Sequence, residues 1–132
     1  MNSSIKTVQD AFTATGRNIS VLSLFEQFPE QDREHEKAAY SQKVIIEALN
    51  QEANGGKKWT PDWEDGSSKY SSYVWLKKNP DPAGVGFVVH DSHCVNTNAS
   101  TDVGSRLCLK NRDLVYYINE QFKDIIQIVM AE

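Results

Sequence analysis

Apolar residues in the first fifty positions recur at helical spacing and predict two helices. The segment from Ile5 to Ala14 carries apolar residues three and four positions apart, and Gly16 follows it as a helix stop. A second helix is predicted from Pro29 to about Asn50. Its opening is polar on every side, and only its later half carries an apolar stripe. Its first turns are therefore expected to project into solvent while its later turns pack.

The remainder of the chain predicts three strands and a final helix. The candidate strands are Tyr70–Lys78, which is aromatic and partly alternating, Val85–His90, which is β-branched, and the short segment Ser105–Lys110. The turn-forming segment Asn79–Gly84 separates the first two. Asn111 is expected to cap a helix that continues through Val129. Short hairpin-like links favour an antiparallel meander. The predicted fold is therefore α+β, a three-stranded antiparallel sheet with about three helices packed mainly on one face.

Alternation along the predicted strands assigns side chains to two faces of the sheet. The face expected to meet the helices carries Val74, Leu76, Val85, Phe87, Val89, Leu107 and Leu109. The face expected to point away carries Tyr73, Trp75, Lys77, Val88, His90, Arg106, Cys108 and Lys110. Aromatic rings among cations are typical of a surface that binds single-stranded nucleic acid. The same pattern also fits core aromatics with cations that keep a sheet face soluble.

Length and charge limit the classes of protein to consider. A chain of 132 residues predicts one domain, with a helical part over 1–50 and a strand meander plus C-terminal helix over 59–132. The net charge of −4 argues against a general binder of nucleic acid or of membrane surfaces. No apolar segment has signal-peptide or membrane-spanning length, so the sequence predicts a cytoplasmic protein. In that compartment Cys94 and Cys108 are expected to be free thiols.

The residues that carry chemistry form no recognisable catalytic or metal pattern. His90, His93, Cys94 and Cys108 are zinc-ligand types, but on an extended strand His90 and Cys94 would stand about 13 Å apart. A turn would be needed to bring them together, and neither thiol lies in a catalytic signature. The sequence therefore predicts no catalytic residues, no metal and no cofactor. A cysteine- or metal-dependent enzyme stays open only as a third hypothesis.

Two groups of residues are candidates for contact with a partner. Trp59 and Trp63 form an aromatic corner, and they and Trp75 either cover the core or form an exposed contact of the kind that dominates interfaces. Tyr70 is expected to join Trp59 and Trp63 in such a contact. The start of the second helix carries the carboxylates of Glu30, Asp32, Glu34 and Glu36. These are either a solvated helix start favoured by the helix dipole or a surface that meets a basic partner.

Several blocks of the sequence together carry a resemblance. These blocks are Pro61-Asp62-Trp63, Lys69-Tyr70 with Tyr73 and Trp75, and Ser100–Lys110 followed by Arg112-Asp113-Leu114, Tyr117 and Gln121-Phe122. Together they resemble a family of small bacteriophage and prophage proteins with no established activity. The resemblance covers about Val44 to Asp124. Family members tend to have Tyr-Tyr-Pro-Trp-Phe where this chain has Tyr73-Val74-Trp75-Leu76. The resemblance implies phage or prophage origin and action inside an infected bacterium.

Three hypotheses follow. The leading one is a non-enzymatic protein that binds a host protein or protein–nucleic-acid complex, such as a counter-defence inhibitor of the anti-CRISPR kind. Its expected contact residues are Glu30, Asp32, Glu34, Glu36, Trp59, Trp63 and Tyr70. The second is a single-stranded nucleic-acid binder that uses Tyr73, Trp75, Arg106 and Lys110. The third is the cysteine or metal enzyme.

Overall fold

The computed structural model describes all 132 residues, which form four α-helices, two 3-10 helices and two β-strands. In chain order these are α1 (Val8–Ala14), a 3-10 helix (Ile19–Gln27), α2 (Glu30–Ala53), β1 (Lys69–Lys78), β2 (Phe87–Thr97), a second 3-10 helix (Ser105–Leu107), α3 (Arg112–Gln121) and α4 (Lys123–Ala131). The helix α2 is the central element, because α1 and α4 both pack against it.

Local sequence signals set the ends of the short helices. Thr7 and Asp10 form a reciprocal capping box at the start of α1. Gly16 ends that helix in the left-handed region at φ 70°, and the next amide, of Arg17, donates to the Phe12 carbonyl at 2.8 Å. The Asn111 side chain accepts from the Leu114 amide at 3.0 Å and caps α3. The predicted Gly16 stop and Asn111 cap are both confirmed.

The core lies where α1, α2 and α3 meet. The later turns of α2 contribute Ile45, Ala48 and Leu49, which are buried as the apolar stripe predicts, together with Val44, which is also buried. They pack with Phe12 of α1 and with the buried residues of α3 and the segment before it, which are Leu109, Leu114, Val115, Ile118 and Phe122. The acidic first turns of α2 lie outside this core.

The predicted third strand does not form, so the expected three-stranded sheet with about three helices is wrong. The sheet has two antiparallel strands, and the segment 105–110 contributes a 3-10 turn and a single bridge between Leu109 and Tyr70. On the other side of Leu109, the Asn50 amide donates to the Cys108 carbonyl at 2.9 Å and accepts from the Lys110 amide at 2.8 Å. Because a helix side chain satisfies these backbone groups, the segment needs no further strand neighbour.

The predicted division of side chains between two sheet faces also fails in part. Leu76, Val85 and Phe87 were expected to meet the helices, but they are exposed. Cys108 was expected to point away, but it is buried. The two errors have different causes: the helices leave the side chains at the far end of the hairpin uncovered, and the segment that carries Cys108 packs beside α2 instead of extending the sheet.

Two further elements differ from the sequence prediction. The strand β2 continues to Thr97 through a segment that was expected to be a loop. It contains a bulge at His90, which has no partner on β1 because Trp75 pairs with Asp91 and the next residue, Leu76, pairs with Val89. The single final helix is divided at Phe122, whose ψ of 35° turns the chain while its ring stays buried. This turn lets α4 contact both α2 and β2.

Candidate interaction site

The end of the hairpin exposes an unusual amount of apolar surface. Trp75 is 60% exposed, Phe87 55% and Leu76 43%, and Val85 in the connecting turn is 91% exposed. We call the residues from Trp75 to Val88 the distal hairpin. Because neighbouring residues of a strand point to opposite faces, Trp75 and Leu76 expose apolar side chains on both faces of the distal hairpin. Several exposed apolar side chains in one segment mark contact sites more often than single ones do.

Helix α3 holds the base of this hairpin. Ser72 on β1 donates to the side-chain carbonyl of Asn119 on α3, and the Asn119 amide reaches the carbonyl of His93 at 3.5 Å. An isolated two-stranded hairpin is marginally stable in water, so this support fixes where the hairpin emerges. Beyond Ser72 on β1, no hydrogen bond from a helix side chain reaches the strand.

The outer edge of β2 is protected by a side chain. Gln127 of α4 accepts from the Val89 amide at 2.7 Å and donates to the Phe87 carbonyl at 3.1 Å. These two backbone groups face away from β1, so the amide of Gln127 takes the place of a neighbouring strand. Covering an edge in this way prevents pairing with other chains.

The outer edge of β1 has no such cover. Tyr70 directs its backbone away from β2, where its amide and carbonyl bond to Leu109 at 3.1 and 2.7 Å. By the alternation of an antiparallel strand, Ser72, Val74 and Leu76 direct their backbone groups to the same side. None of their outward-facing groups bonds within the protein. The open edge and the exposed apolar side chains therefore lie on the same strand.

Polar side chains in the middle of the hairpin have partners within the protein, whereas the two lysines near its turn have no ionic partner. In the middle, Tyr73 stacks on His93 with ring centres 5.2 Å apart, and His93 lies 2.9 Å from the Asp91 carboxylate. Near the turn, Lys77 and Lys78 contact no carboxylate. The distal hairpin thus combines apolar side chains with two free cations and one carboxylate, that of Asp81, which accepts from the Ala83 amide in the turn.

The aromatic corner predicted as a contact is partly tied into the fold. The Trp63 indole donates to the Ser105 hydroxyl at 3.0 Å, and the Lys69 ammonium lies 5.3 Å from the centre of its ring. The Tyr70 ring lies 5.7 Å from the Arg112 guanidinium. Trp63 and Tyr70 are half-buried in these contacts.

Lys69 is the anchor of that corner and was not identified from the sequence. Its side chain is buried, and its ammonium donates to the Asp65 carboxylate at 2.9 Å and to the carbonyls of Ser67 and Asn98. Hydrogen bonds from Ser67 and from Lys69 lower the pKa of Asp65 to about 2. A lysine at the start of a strand gives no sequence signal for burial, because lysine is almost always exposed.

Trp59 lies in a separate pocket of about 360 Å³, which we call the cationic pocket. Its cations are Arg17, Lys43, Lys58 and Arg106, and its single carboxylate is that of Glu47. This pocket could not be predicted from the sequence, because its lining comes from four separate parts of the chain.

The acidic residues predicted as a contact lie apart from the aromatic corner. Glu30, Asp32 and Glu34 are exposed and Glu36 is half-buried at the start of α2. The cationic pocket with Trp59 lies against the later turns, at Glu47. At 1.5 Å per residue, Asp32 and Glu47 are about 22 Å apart along the helix. The structure therefore places the two predicted groups at different ends of α2.

The residues predicted to bind nucleic acid also separate. Tyr73 and Trp75 are exposed on β1, whereas Arg106 lines the cationic pocket and Lys110 bonds to Asn50 through its amide. Without a third strand, these residues share no sheet face.

The cysteines and histidines do not assemble into a site. Cys94 and Cys108 are free thiols, and no three histidine, cysteine or acidic side chains lie close enough to hold a metal ion. Burial raises the pKa of both thiols. A raised pKa reduces the thiolate form, which is the opposite of what a cysteine nucleophile requires.

Comparison with known proteins adds no relative. No family model, no curated protein and no solved structure matches this chain. The resemblance to phage and prophage proteins therefore stays a prediction. None of the helices combines the length and hydropathy that crossing a bilayer requires.

Proposed function

We propose that this protein acts by binding another protein through the distal hairpin, and that it performs no chemistry of its own. The partner we propose contributes an extended segment that pairs with the open edge of β1. The resemblance to phage proteins makes a bacterial host protein, or a host protein–nucleic-acid complex, the proposed target. Inhibition of a host defence in the manner of an anti-CRISPR protein is the proposed consequence.

One observation supports this proposal above all others. The strand β1 has both an unpaired outer edge and exposed large side chains, Trp75 and Leu76, whereas the edge of β2 is covered by Gln127. Proteins that add a partner strand use backbone hydrogen bonds for affinity and flanking side-chain contacts for specificity. The distal hairpin offers both of these.

The charge of the distal hairpin favours an acidic segment as the partner. Lys77 and Lys78 lie next to the exposed side chains and have no carboxylate partner within the protein. Charge complementarity of this kind steers association and selects among partners. The acidic start of α2, with Glu30, Asp32, Glu34 and Glu36, stays a separate proposed contact for a basic region of the same partner.

The experiment is a pull-down from nuclease-treated lysates of candidate host bacteria, followed by affinity measurement with the purified partner. The variants are Trp75→Ser, which removes an exposed ring, and Leu76→Pro, which removes an outward-facing amide. Loss of a central interface tryptophan costs about 2 kcal/mol or more, which is about a 30-fold loss of affinity. We expect at least this loss for Trp75→Ser.

Two control variants test whether binding depends on the strand edge and on the distal hairpin in particular. Leu76→Ala shortens the same side chain but keeps the amide, so it should weaken binding less than Leu76→Pro does. Tyr116→Ser removes a ring that is 49% exposed on α3, away from the hairpin, and should bind normally. Normal folding of each variant is checked by circular dichroism.

Several results would overturn the proposal. Full binding by both Trp75→Ser and Leu76→Pro would remove the distal hairpin from the interface. Recovery of DNA or RNA alone, lost on nuclease treatment, would favour the nucleic-acid hypothesis instead. A dimer in light scattering that Leu76→Pro converts to monomer would show that a second copy of the chain occupies the edge.

A further inference from the structure

We propose that the cationic pocket binds a mononucleotide-type ligand, a phosphoryl group joined to a planar ring. The pocket lies against the later turns of α2 and shares no residue with the distal hairpin. The proposal is therefore independent of the interaction proposed above.

The charges of the pocket favour an anion. Four cationic side chains line it against one carboxylate, although the whole chain carries a net charge of −4. Arg17 already pairs with that carboxylate, on Glu47, at 2.9 Å. Lys43, Lys58 and Arg106 contact no carboxylate in the protein. Three unpaired cations around one cavity match the charge and the several acceptor oxygens of a phosphoryl group.

The other walls suit a flat ring. Trp59 is half-buried in the lining, beside Pro61 and Tyr40. Bases stack on aromatic side chains, and a base held this way leaves its phosphoryl group free to reach nearby cations. The volume of about 360 Å³ falls within the range of small-molecule sites and limits the ligand to about one nucleotide.

The lining is held in place by contacts within the protein. Glu47 and the Tyr40 hydroxyl fix the Arg17 guanidinium, at 2.9 and 3.4 Å. Asn50 holds the segment just after Arg106 through its two hydrogen bonds to backbone groups. Fixing Arg17 and this backbone segment lowers the conformational entropy that binding would otherwise cost, and the unpartnered side chains of Lys58 and Arg106 become ordered when the ligand binds.

The experiment is calorimetric titration of the full-length protein with four probes: AMP, adenosine, inorganic phosphate and a single-stranded DNA oligonucleotide without a terminal phosphate. We expect AMP to bind in a 1:1 ratio, adenosine to bind more weakly because it lacks the phosphoryl group, and inorganic phosphate to compete with AMP. Lys58→Gln and Arg106→Gln should each weaken AMP binding about tenfold or more, since each removes a charge-assisted hydrogen bond.

Lys57→Gln is the matched control, because it removes the same charge from the neighbouring residue, which does not line the pocket. The side chains of Lys58 and Arg106 make no hydrogen bond or ion pair in the protein, so their loss should leave the fold intact. Equal weakening by Lys57→Gln would overturn the proposal by showing a general charge effect. Binding of the oligonucleotide without binding of AMP, or no binding of AMP at millimolar concentration, would also overturn it. Trp75→Ser should leave AMP binding unchanged, which separates this test from that of the hairpin.

Discussion

Asn50 holds together two parts of the protein that are far apart in the sequence, and Asn50→Leu tests how much stability that link supplies. The asparagine is buried on α2, and its amide takes the place of a strand beside the segment 108–110. Leucine has the same branching and the same number of side-chain heavy atoms but neither donates nor accepts. The substitution therefore leaves the Cys108 carbonyl and the Lys110 amide without partners.

The expected cost follows from these two groups. A buried backbone group left unpaired costs about 1–3 kcal/mol, and the Lys110 amide is less deeply buried than the Cys108 carbonyl. Together they predict a loss of about 2–4 kcal/mol in the free energy of unfolding. For a chain of this length, that loss lowers the melting temperature by about 6–12 °C.

The assay is urea unfolding followed by circular dichroism, with hydrogen exchange of the Lys110 amide as a local readout. In Asn50→Leu that amide should exchange faster than in the wild type. A loss below about 0.5 kcal/mol, with Lys110 still protected, would refute the role given to Asn50.

Asn50→Asp provides a control within the same position. A charged carboxylate accepts from the Lys110 amide but cannot donate to the Cys108 carbonyl, whereas the protonated acid does both. Burial raises the pKa of a carboxyl above its unfolded value, so the stability that the protonated acid supplies is present at low pH and lost as pH rises. Relative to wild type, this variant should therefore be less destabilised at pH 4 than at pH 7.

Three further predictions concern single residues. Hydrogen bonds from Ser67 and Lys69 lower the pKa of Asp65 from its ordinary 3.8 to about 2, so the stability that they supply is present above pH 3.8 and is lost as pH falls through about 2. Asp65→Asn should therefore have a lower urea midpoint than wild type at pH 7 and a much smaller difference at pH 2. Gln127→Ala should speed exchange of the Val89 amide in deuterium-exchange NMR, and unchanged exchange would contradict the edge cover described above. Cys108 is buried with a raised pKa, so a thiol reagent such as Ellman's should modify it slowly in the folded protein and rapidly in guanidinium.

The helical part of the fold could be predicted because its signals are local. Gly16 ends α1 and Asn111 caps α3 through contacts within four or five residues, and the apolar stripe of α2 directly marks its buried face. Such patterns depend on the spacing of neighbours along one helix and not on the rest of the chain.

The sheet could not be predicted because its structure depends on contacts between residues that are far apart in the sequence. The segment 105–110 forms a 3-10 turn instead of further pairs with β1, and the backbone groups on its other side are satisfied by Asn50, which is 58 and 60 residues away from them. A single polar residue on the buried side of a helix gives no sign of its distant partner. The strand β2 was predicted too short because its later half is mostly polar, which is typical of a loop.

The candidate sites could not be predicted in full either, because they also depend on contacts between distant parts of the chain. Leu76 and Phe87 fall at positions where alternation along each strand predicts core residues. They are exposed because α3 and α4 do not extend over their side chains. Trp75 was expected on an exposed face, and it is exposed. The cationic pocket depends on α2, the aromatic corner and the second 3-10 helix meeting in space, and no spacing along the chain indicates this.

The most direct test of the central claim is hydrogen exchange of the protein with and without its purified partner. If the partner pairs with the open edge of β1, the outward-facing amides of Val74 and Leu76 should exchange much more slowly in the complex. Protection confined to the first turns of α2, from Glu30 to Glu36, with the distal hairpin unchanged, would contradict the account.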